Sequence, residues 1–192
     1  SRSPDTPSRS RSTTASGGSA QPRSTLKPTL AAINDIIIML MPPAYPEHMS
    51  THPGRTLREL CSKGPVAAPG AYNGLVAREV ARVGFTATYL SGGALSASSG
   101  VPDIGVLTLD KFAERVREIA QHSGLPVIAD ADTGFGEEEM VRRTVIEYNR
   151  AGAAACHIED QVFPKRCGHL AGKQLIPLEH CVGKIRWAAE AS

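Results

Sequence analysis

From about Arg55 onward the apolar positions recur at two alternating periods. Leu75, Val76, Val80 and Val83 fall at helical spacing, as do Phe112, Val116 and Ile119, so the pattern predicts helices over 73–83 and 109–122. A short amphipathic helix is expected over 56–61, and further helices over 137–150 and 177–191. Between them, runs at 66–68, 86–90, 126–129 and 154–158 are short, apolar and bounded by glycine or proline, as buried strands are. Gly84 and Gly124 stand where helices end in a left-handed residue. Glu137, Glu138 and Glu139 open one helix and Arg150 closes it, which matches the helix dipole. Strand then helix, four times over, implies an α/β fold with parallel strands and right-handed crossovers.

The first 53 residues break this pattern. Residues 1–30 are rich in Ser, Thr, Pro and Arg, with Asp5 the only acid. They have too little apolar content to offset the entropy of ordering. Residues 1–53 are therefore expected to be a disordered tail, with 54–192 the folded domain. A transit-like segment is a second reading of the tail, and a phosphorylatable Ser-Arg stretch over Ser8–Ser12 a third. The run from Ile36 to Met41 is greasy, but Pro42, Pro43 and Pro46 stop it far short of a bilayer span. It docks on a surface or has no role.

Charge and cysteines narrow the function classes. The formal net charge of +2 is carried entirely by residues 1–53, and the remainder is neutral. A neutral body argues against a nucleic-acid partner, and no apolar run suggests a membrane one. The four cysteines lack Cys-x-x-Cys spacing, which disfavours a zinc ribbon or a disulfide scaffold. A reducing compartment is expected, cytoplasmic or mitochondrial.

In such folds ligands bind at the carboxyl ends of the strands, and polar residues gather there in this sequence. Asp130 and Asp132 lie two apart and share a face if the strand continues. With Asp103 and Glu159 at neighbouring strand ends they form an all-oxygen set suited to Mg²⁺ or Mn²⁺. The alternative is that one Asp caps a helix and the other pairs with a base. Cys167 lies on a polar loop between Lys165, Arg166 and His169; nearby cations favour its thiolate, and His169 could exchange a proton with it. Ser91-Gly92-Gly93 lets backbone N–H groups approach an anion such as a carboxylate, or is only a turn. His157, inside an apolar strand, reads as a core residue or a support to the site.

Ser91-Gly92-Gly93, Gly100-Val101-Pro102-Asp103, Asp130 through Gly136, and Ile158 through His169 together resemble the isocitrate lyase/phosphoenolpyruvate mutase superfamily, most nearly its 2-methylisocitrate lyase branch. The resemblance covers about residues 55–192. It implies a (β/α)8 barrel of the TIM type, of which only about the first four β/α units are present, in homo-oligomers when full length. It also implies a small carboxylic-acid substrate and Mg²⁺, with Mn²⁺ possible. Ser91, Gly92 and Gly93 would hold a keto-acid carboxylate, and Tyr89 would line the same site. Asp130 and Asp132 would hold the metal directly or through water, with Asp103 and Glu159 in its outer shell. Lys165, Cys167, Gly168 and His169 would belong to a mobile catalytic loop.

The implied reaction is carbon–carbon cleavage of a 2-methylisocitrate-like hydroxy tricarboxylate to pyruvate and succinate, with Cys167 donating the closing proton. Leu170 stands where bacterial methylisocitrate lyases usually carry Arg. That keeps a 2,3-dimethylmalate lyase and an oxaloacetate acetylhydrolase open as alternatives. The family's substrate-clamping Arg and Glu residues belong to the missing half, so an incomplete lyase and a non-catalytic half-barrel are both compatible with the length.

Overall fold

The structure is a computed structural model that describes the backbone of residues 37–40 and all of residues 51–192. The chain divides into two units, Ser1–Ala32 and Ile33–Ser192, and the described residues all belong to the second. The expected tail over 1–30 lies outside the described residues. The folded part begins earlier than the expected boundary at residue 54, because Ile37–Leu40 already forms a strand, β1.

The remaining elements follow in chain order. They are α1 (Pro53–Ser62), α2 (Gly74–Arg82), β2 (Thr88–Leu90), α3 (Gly92–Ser98), α4 (Leu109–Ser123), β3 (Val127–Asp130), α5 (Glu138–Ala151), β4 (Ala153–Ile158) and α6 (Leu178–Ala191). The strands form one sheet in the order β1-β4-β3-β2. β2, β3 and β4 run parallel, as expected, and β1 runs antiparallel on the outer edge of β4.

Local chemistry explains the helix ends. Asn73 Oδ1 accepts the Val76 N–H at 2.9 Å and caps α2. Glu118 on α4 accepts the Gly74 N–H at 2.7 Å, tying the start of α2 to its neighbour. Gly124 (φ 67°) and Gly152 (φ 92°) end α4 and α5 in the left-handed conformation that glycine adopts without strain. Helix α1 starts sooner than its apolar pattern suggests, because His52 caps it: His52 Nδ1 accepts the Gly54 N–H at 3.1 Å, with Pro53 in the first turn.

Two expectations need correction. The predicted strand at 66–68 is reduced to a single parallel bridge between Gly70 and Tyr89. Tyr89 donates its N–H to the Pro69 carbonyl at 3.0 Å and accepts the Ala71 N–H at 2.8 Å. Pro65 and Pro69 have no N–H to give, so a longer ladder is not available. The segment after Ser91, read as a turn that either approaches an anion or has no further role, is the start of helix α3. Its small residues give no periodic signal, but Ser91 Oγ accepts the Ala94 N–H at 3.3 Å and opens a short turn of helix.

The core lies between the sheet and helices α4 and α5. Phe112, Val116 and Ile119 from α4 and Val141, Val145 and Tyr148 from α5 are buried against Leu90, Val127, Ala129 and Cys156. β4 is buried throughout, and its run of alanines lets helices and strands approach closely. Tyr148 donates its hydroxyl to the Asp130 carbonyl at 2.6 Å, so α5 fixes the end of β3. Counted along the chain there are four β/α steps among the described residues, and three strands plus one bridge run parallel. None of the described helices is long and apolar enough to cross a membrane.

Candidate active site

Asp130 ends β3 and is buried. Its Oδ1 accepts the Asp132 N–H at 2.9 Å and its Oδ2 the Gly92 N–H at 2.9 Å. A Cβ on Gly92 would come within 2.7 Å of Oδ2, so only glycine lets the start of α3 sit on this carboxylate. Asp130 thus caps a helix, as the alternative reading of the pair allowed, but the helix belongs to the neighbouring strand unit. The Gly92 N–H is engaged by Asp130 in this arrangement. Gly93 faces the other acid: its Cβ position lies 3.2 Å from Asp103 Oδ2.

Asp132 is buried and holds a left-handed backbone conformation, φ 45°, uncommon for a residue with a side chain. That turn aims its carboxylate at Lys165. The Lys165 ammonium lies 2.5 Å from Asp132 Oδ1, 2.8 Å from Asp103 Oδ1 and 3.7 Å from Glu159 Oε1, and the residue is only 2% exposed. Burial alone would lower the lysine pKa, but Asp132, Asp103 and Glu159 more than reverse this and raise it.

One ammonium does not balance so many acids. Burial, with Asp130 adding to it, pushes Asp132 up to about 6 despite Lys165. Burial, with Asp130 and Asp132 adding to it, pushes Glu159 up to about 7 despite Lys165. Among the described residues no three His, Cys, Asp or Glu side chains are grouped as a ready cage for an ion; the carboxylates surround the lysine instead. The donor set nevertheless fits a hard divalent cation. It is all oxygen, it carries a surplus of negative charge, and each Asp130 oxygen keeps a lone pair beyond its backbone bond.

Tyr89 and His157 form the inner wall. The Tyr89 hydroxyl and His157 Nε2 are 2.8 Å apart, and the rings stack at 5.6 Å between centroids. His157 Nδ1 is 3.9 Å from Asp130 Oδ1 and makes no hydrogen bond. Burial lowers the His157 pKa, while burial and the nearby Asp130 and Glu159 raise that of Tyr89.

The loop after β4 is anchored at one end and open at the other. Gln161, which sequence reasoning gave no role, donates from Nε2 to Glu159 Oε2 at 2.7 Å and to the Arg166 carbonyl at 2.9 Å, and accepts the Arg166 N–H at 3.0 Å. As a neutral amide it left no mark on the charge pattern. Cys167 is half-buried, with Sγ 3.7 Å from Nδ1 of the exposed His169. The expectation that cations favour its thiolate is corrected. The His169 backbone lowers the thiol pKa, but desolvation and Asp103 outweigh it and raise the pKa. The Lys165 charge is already shared among carboxylates, and Arg166 turns away to the Ala171 carbonyl at 3.2 Å. Gly168 is exposed and gives its carbonyl to Lys173 Nζ at 2.9 Å. Beside the cluster opens a cleft of about 830 Å³, lined by Asp132, Thr133, Phe135, Gln161, Phe163 and Lys184 among others.

Thus Tyr89, Ser91, Gly92, Gly93, Asp103, Asp130, Asp132, Glu159 and Lys165 meet at one rim, with Cys167 beside Asp103 and His169 beyond it. The stretch that carries this rim is similar to known proteins. Residues 57–192 match the phosphoenolpyruvate phosphomutase family. The chain is 54% identical to a 2-methylisocitrate lyase of Aeropyrum pernix over 134 residues, 69% of this chain and 44% of that one. It is 48% identical to a 2,3-dimethylmalate lyase of Eubacterium barkeri over 136 residues, 70% of this chain and 47% of that one. It superposes on a crystal structure of a phosphonopyruvate hydrolase in complex with oxalate and Mg²⁺ with a TM-score of 0.67 and 38% identity, covering 74% of this chain and 49% of the other. The chain spans about half the length of the relatives it matches. With its carboxylate rim, its Lys-Arg-Cys-Gly-His loop and its parallel β/α order, the chain belongs to the isocitrate lyase/phosphoenolpyruvate mutase superfamily, a family of carbon–carbon lyases and mutases.

Proposed function

We propose that this chain supplies the metal-holding and acid-bearing half of a divalent-metal-dependent carbon–carbon lyase for small carboxylic acids. The observation that carries this reading is the buried Lys165 ammonium set among Asp103, Asp132 and Glu159, two residues before Cys167. The preferred substrate is a 2-methylisocitrate-like hydroxy tricarboxylate, cleaved to pyruvate and succinate. A 2,3-dimethylmalate or an oxaloacetate-type substrate uses the same rim, and the 48% identity to a dimethylmalate lyase keeps that reading open.

Asp130 and Asp132 would hold Mg²⁺ or Mn²⁺, with Asp103 and Glu159 reaching it through water; the ion would supply Lewis acidity to the oxygens of the oxo-acid product. Ser91 and Gly93, at the start of α3, lie next to these acids and would orient the substrate carboxylate. Lys165 offsets the carboxylates and fixes the inner end of the loop. Tyr89, its hydroxyl held by His157, shapes the wall against which the substrate packs. Cys167 rests as a neutral thiol, and that protonated form is the one needed to give a proton to the carbanionic carbon of the leaving succinate.

The test uses the chain joined at its C-terminus to the remaining part of the Aeropyrum relative. Pyruvate release in the presence of Mg²⁺ is expected, and Cys167→Ser and Asp130→Ala should each abolish it. Unchanged rates in both variants would overturn the reading. A non-catalytic half-barrel is the second reading, favoured by the four β/α steps of the described residues. It predicts no Mn²⁺ binding by calorimetry, whereas the lyase reading predicts binding that Asp130→Ala weakens at least about tenfold.

A further inference from the structure

Residues 159–176 leave β4, pass over the rim and return towards α6. The neck of this loop is closed by backbone alone. The Val162 N–H donates to the Gln174 carbonyl and the Ile176 N–H to the Asp160 carbonyl, each at 2.8 Å, and Gln161 pairs with Leu175 in an antiparallel bridge. The tip is tied mostly to itself. Arg166 Nη1 donates to the Ala171 carbonyl, Lys173 Nζ to the Gly168 carbonyl and the Leu170 N–H to the Cys167 carbonyl. Those bonds give the tip its shape and leave its place over the rim unset. Ahead of the tip, the Phe163 ring lies against Gly105, where a Cβ would come within 2.5 Å of it, and Lys165 reaches the acids. Neither holds the peptide groups that lead into Cys167.

Gln161 does. Its Oε1 accepts the Arg166 N–H at 3.0 Å, and its Nε2 donates to the Arg166 carbonyl at 2.9 Å and to Glu159 Oε2 at 2.7 Å. The residue is only 4% exposed. Arg166 itself is exposed, so water could serve its peptide groups if the tip stood free; what the buried amide adds is position. The chemistry is particular to glutamine. Glutamate has no donor for the Glu159 carboxylate or the Arg166 carbonyl, and asparagine is one methylene shorter. With Oε2 taken by the amide, Glu159 turns Oε1 to the rim, 3.7 Å from Lys165 Nζ. We propose that Gln161 is a positioning residue of this site: one buried amide sets both the oxygen that Glu159 shows to the rim and the place of the Cys167 thiol beside Asp103. What the placed thiol does rests on the proposed lyase chemistry. The placement does not, and its test contains neither metal nor substrate, so the two can fail separately.

In the full 192-residue chain, Gln161→Leu keeps much of the side-chain bulk and removes all three bonds. Iodoacetamide should then label Cys167 at least about threefold faster relative to Cys61, as the thiol leaves its place beside Asp103. The decisive readout is the response to Asp103→Asn. That substitution should speed Cys167 labelling in the parent and lose most of its effect in the Gln161→Leu background, because residues no longer in contact do not couple. An equal effect of Asp103→Asn in both backgrounds overturns the proposal, and so does an unchanged Cys167 rate in Gln161→Leu alone. The buried Cys156 should stay unlabelled throughout, which separates a moved loop from a loosened fold. If Gln161→Leu labels at Cys156 or loses its cooperative melt, hydrogen exchange on the parent chain decides. The Arg166 amide should exchange at least about tenfold more slowly than the Gly168 amide after correction for intrinsic rates; equal rates overturn the proposal.

Discussion

Two buried lysines sit within the same fold and do different work. Lys165 is held by three carboxylates at the rim. Lys184, on α6, is 4% exposed and donates to the Thr133 carbonyl at 3.1 Å, with Glu137 3.9 Å away. Around Lys184 the charges match: one ammonium faces one exposed carboxylate, which His180 Nε2 also meets at 2.5 Å. Around Lys165 they do not, and the surplus falls on Asp132 and Glu159, whose pKa values rise to about 6 and about 7. A fold built only for stability has no use for that surplus. The seam between α5 and α6 is a structural pin, whereas the rim carries an excess of buried acid, the feature on which the proposed metal site rests.

The largest effect should come from removing the rim cation. Lys165→Met leaves buried acids without a partner, which costs about 3–5 kcal/mol in a metal-free denaturant melt. Mg²⁺ at millimolar concentration should restore part of that loss. A small loss that is blind to Mg²⁺ would show that the rim is no different from the seam. Lys184→Met removes one hydrogen bond to a buried carbonyl and should cost about 1–3 kcal/mol, with no recovery on adding Mg²⁺. The two variants measured side by side turn the comparison of the two regions into a single difference.

The glycines sharpen the same contrast on a smaller scale. Gly92→Ala drives a methyl to within 2.7 Å of Asp130 Oδ2 and should cost about 1–3 kcal/mol by overpacking, while weakening Mn²⁺ binding because Asp130 must shift. A Cβ on Gly168 meets nothing within 4 Å. Gly168→Ala should stay within about 0.5 kcal/mol of the parent in the same melt.

What the sequence revealed and what it hid follow from the range of each interaction. The helices over 109–123 and 138–151 were legible because their apolar residues recur along one face and glycine stops them. The rim was legible in its members: Asp130 ends β3, Asp132, Glu159 and Lys165 come after β3 or β4, Asp103 lies beyond β2 and α3, and the parallel order brings these ends together. Its balance was not legible. The separation of Asp103 from Lys165 in the chain says nothing of the 2.8 Å between their charged atoms, so the alternative in which one Asp pairs with a base could be stated without naming Lys165 as the base that Asp132, Asp103 and Glu159 share. α3 was hidden because glycine, alanine and serine carry no period. The strand at 66–68 was overread because its apolar run was weighed without counting the N–H groups that Pro65 and Pro69 lack. β1 was hidden because pairing with β4 lies over a hundred residues away.

Cys167 gives the finest test, because the two readings of its thiol differ only in sign. If Lys165, Arg166 and His169 acted on it as free cations, its pKa would fall and it would react quickly with alkylating agents near neutral pH. In the structure Lys165 is shared among acids, Arg166 points elsewhere and Asp103 adds negative charge beside the sulfur. A raised pKa means less thiolate at any pH below it, so iodoacetamide should label Cys167 more slowly than the exposed Cys61 at pH 7.5. The gap should narrow as the pH rises towards 10. Asp103→Asn should close part of the gap at pH 7.5 by removing the neighbouring charge. Peptide-resolved mass spectrometry reads both rates in one sample, and faster labelling at Cys167 than at Cys61 would return the thiol to the role of a nucleophile rather than a proton donor.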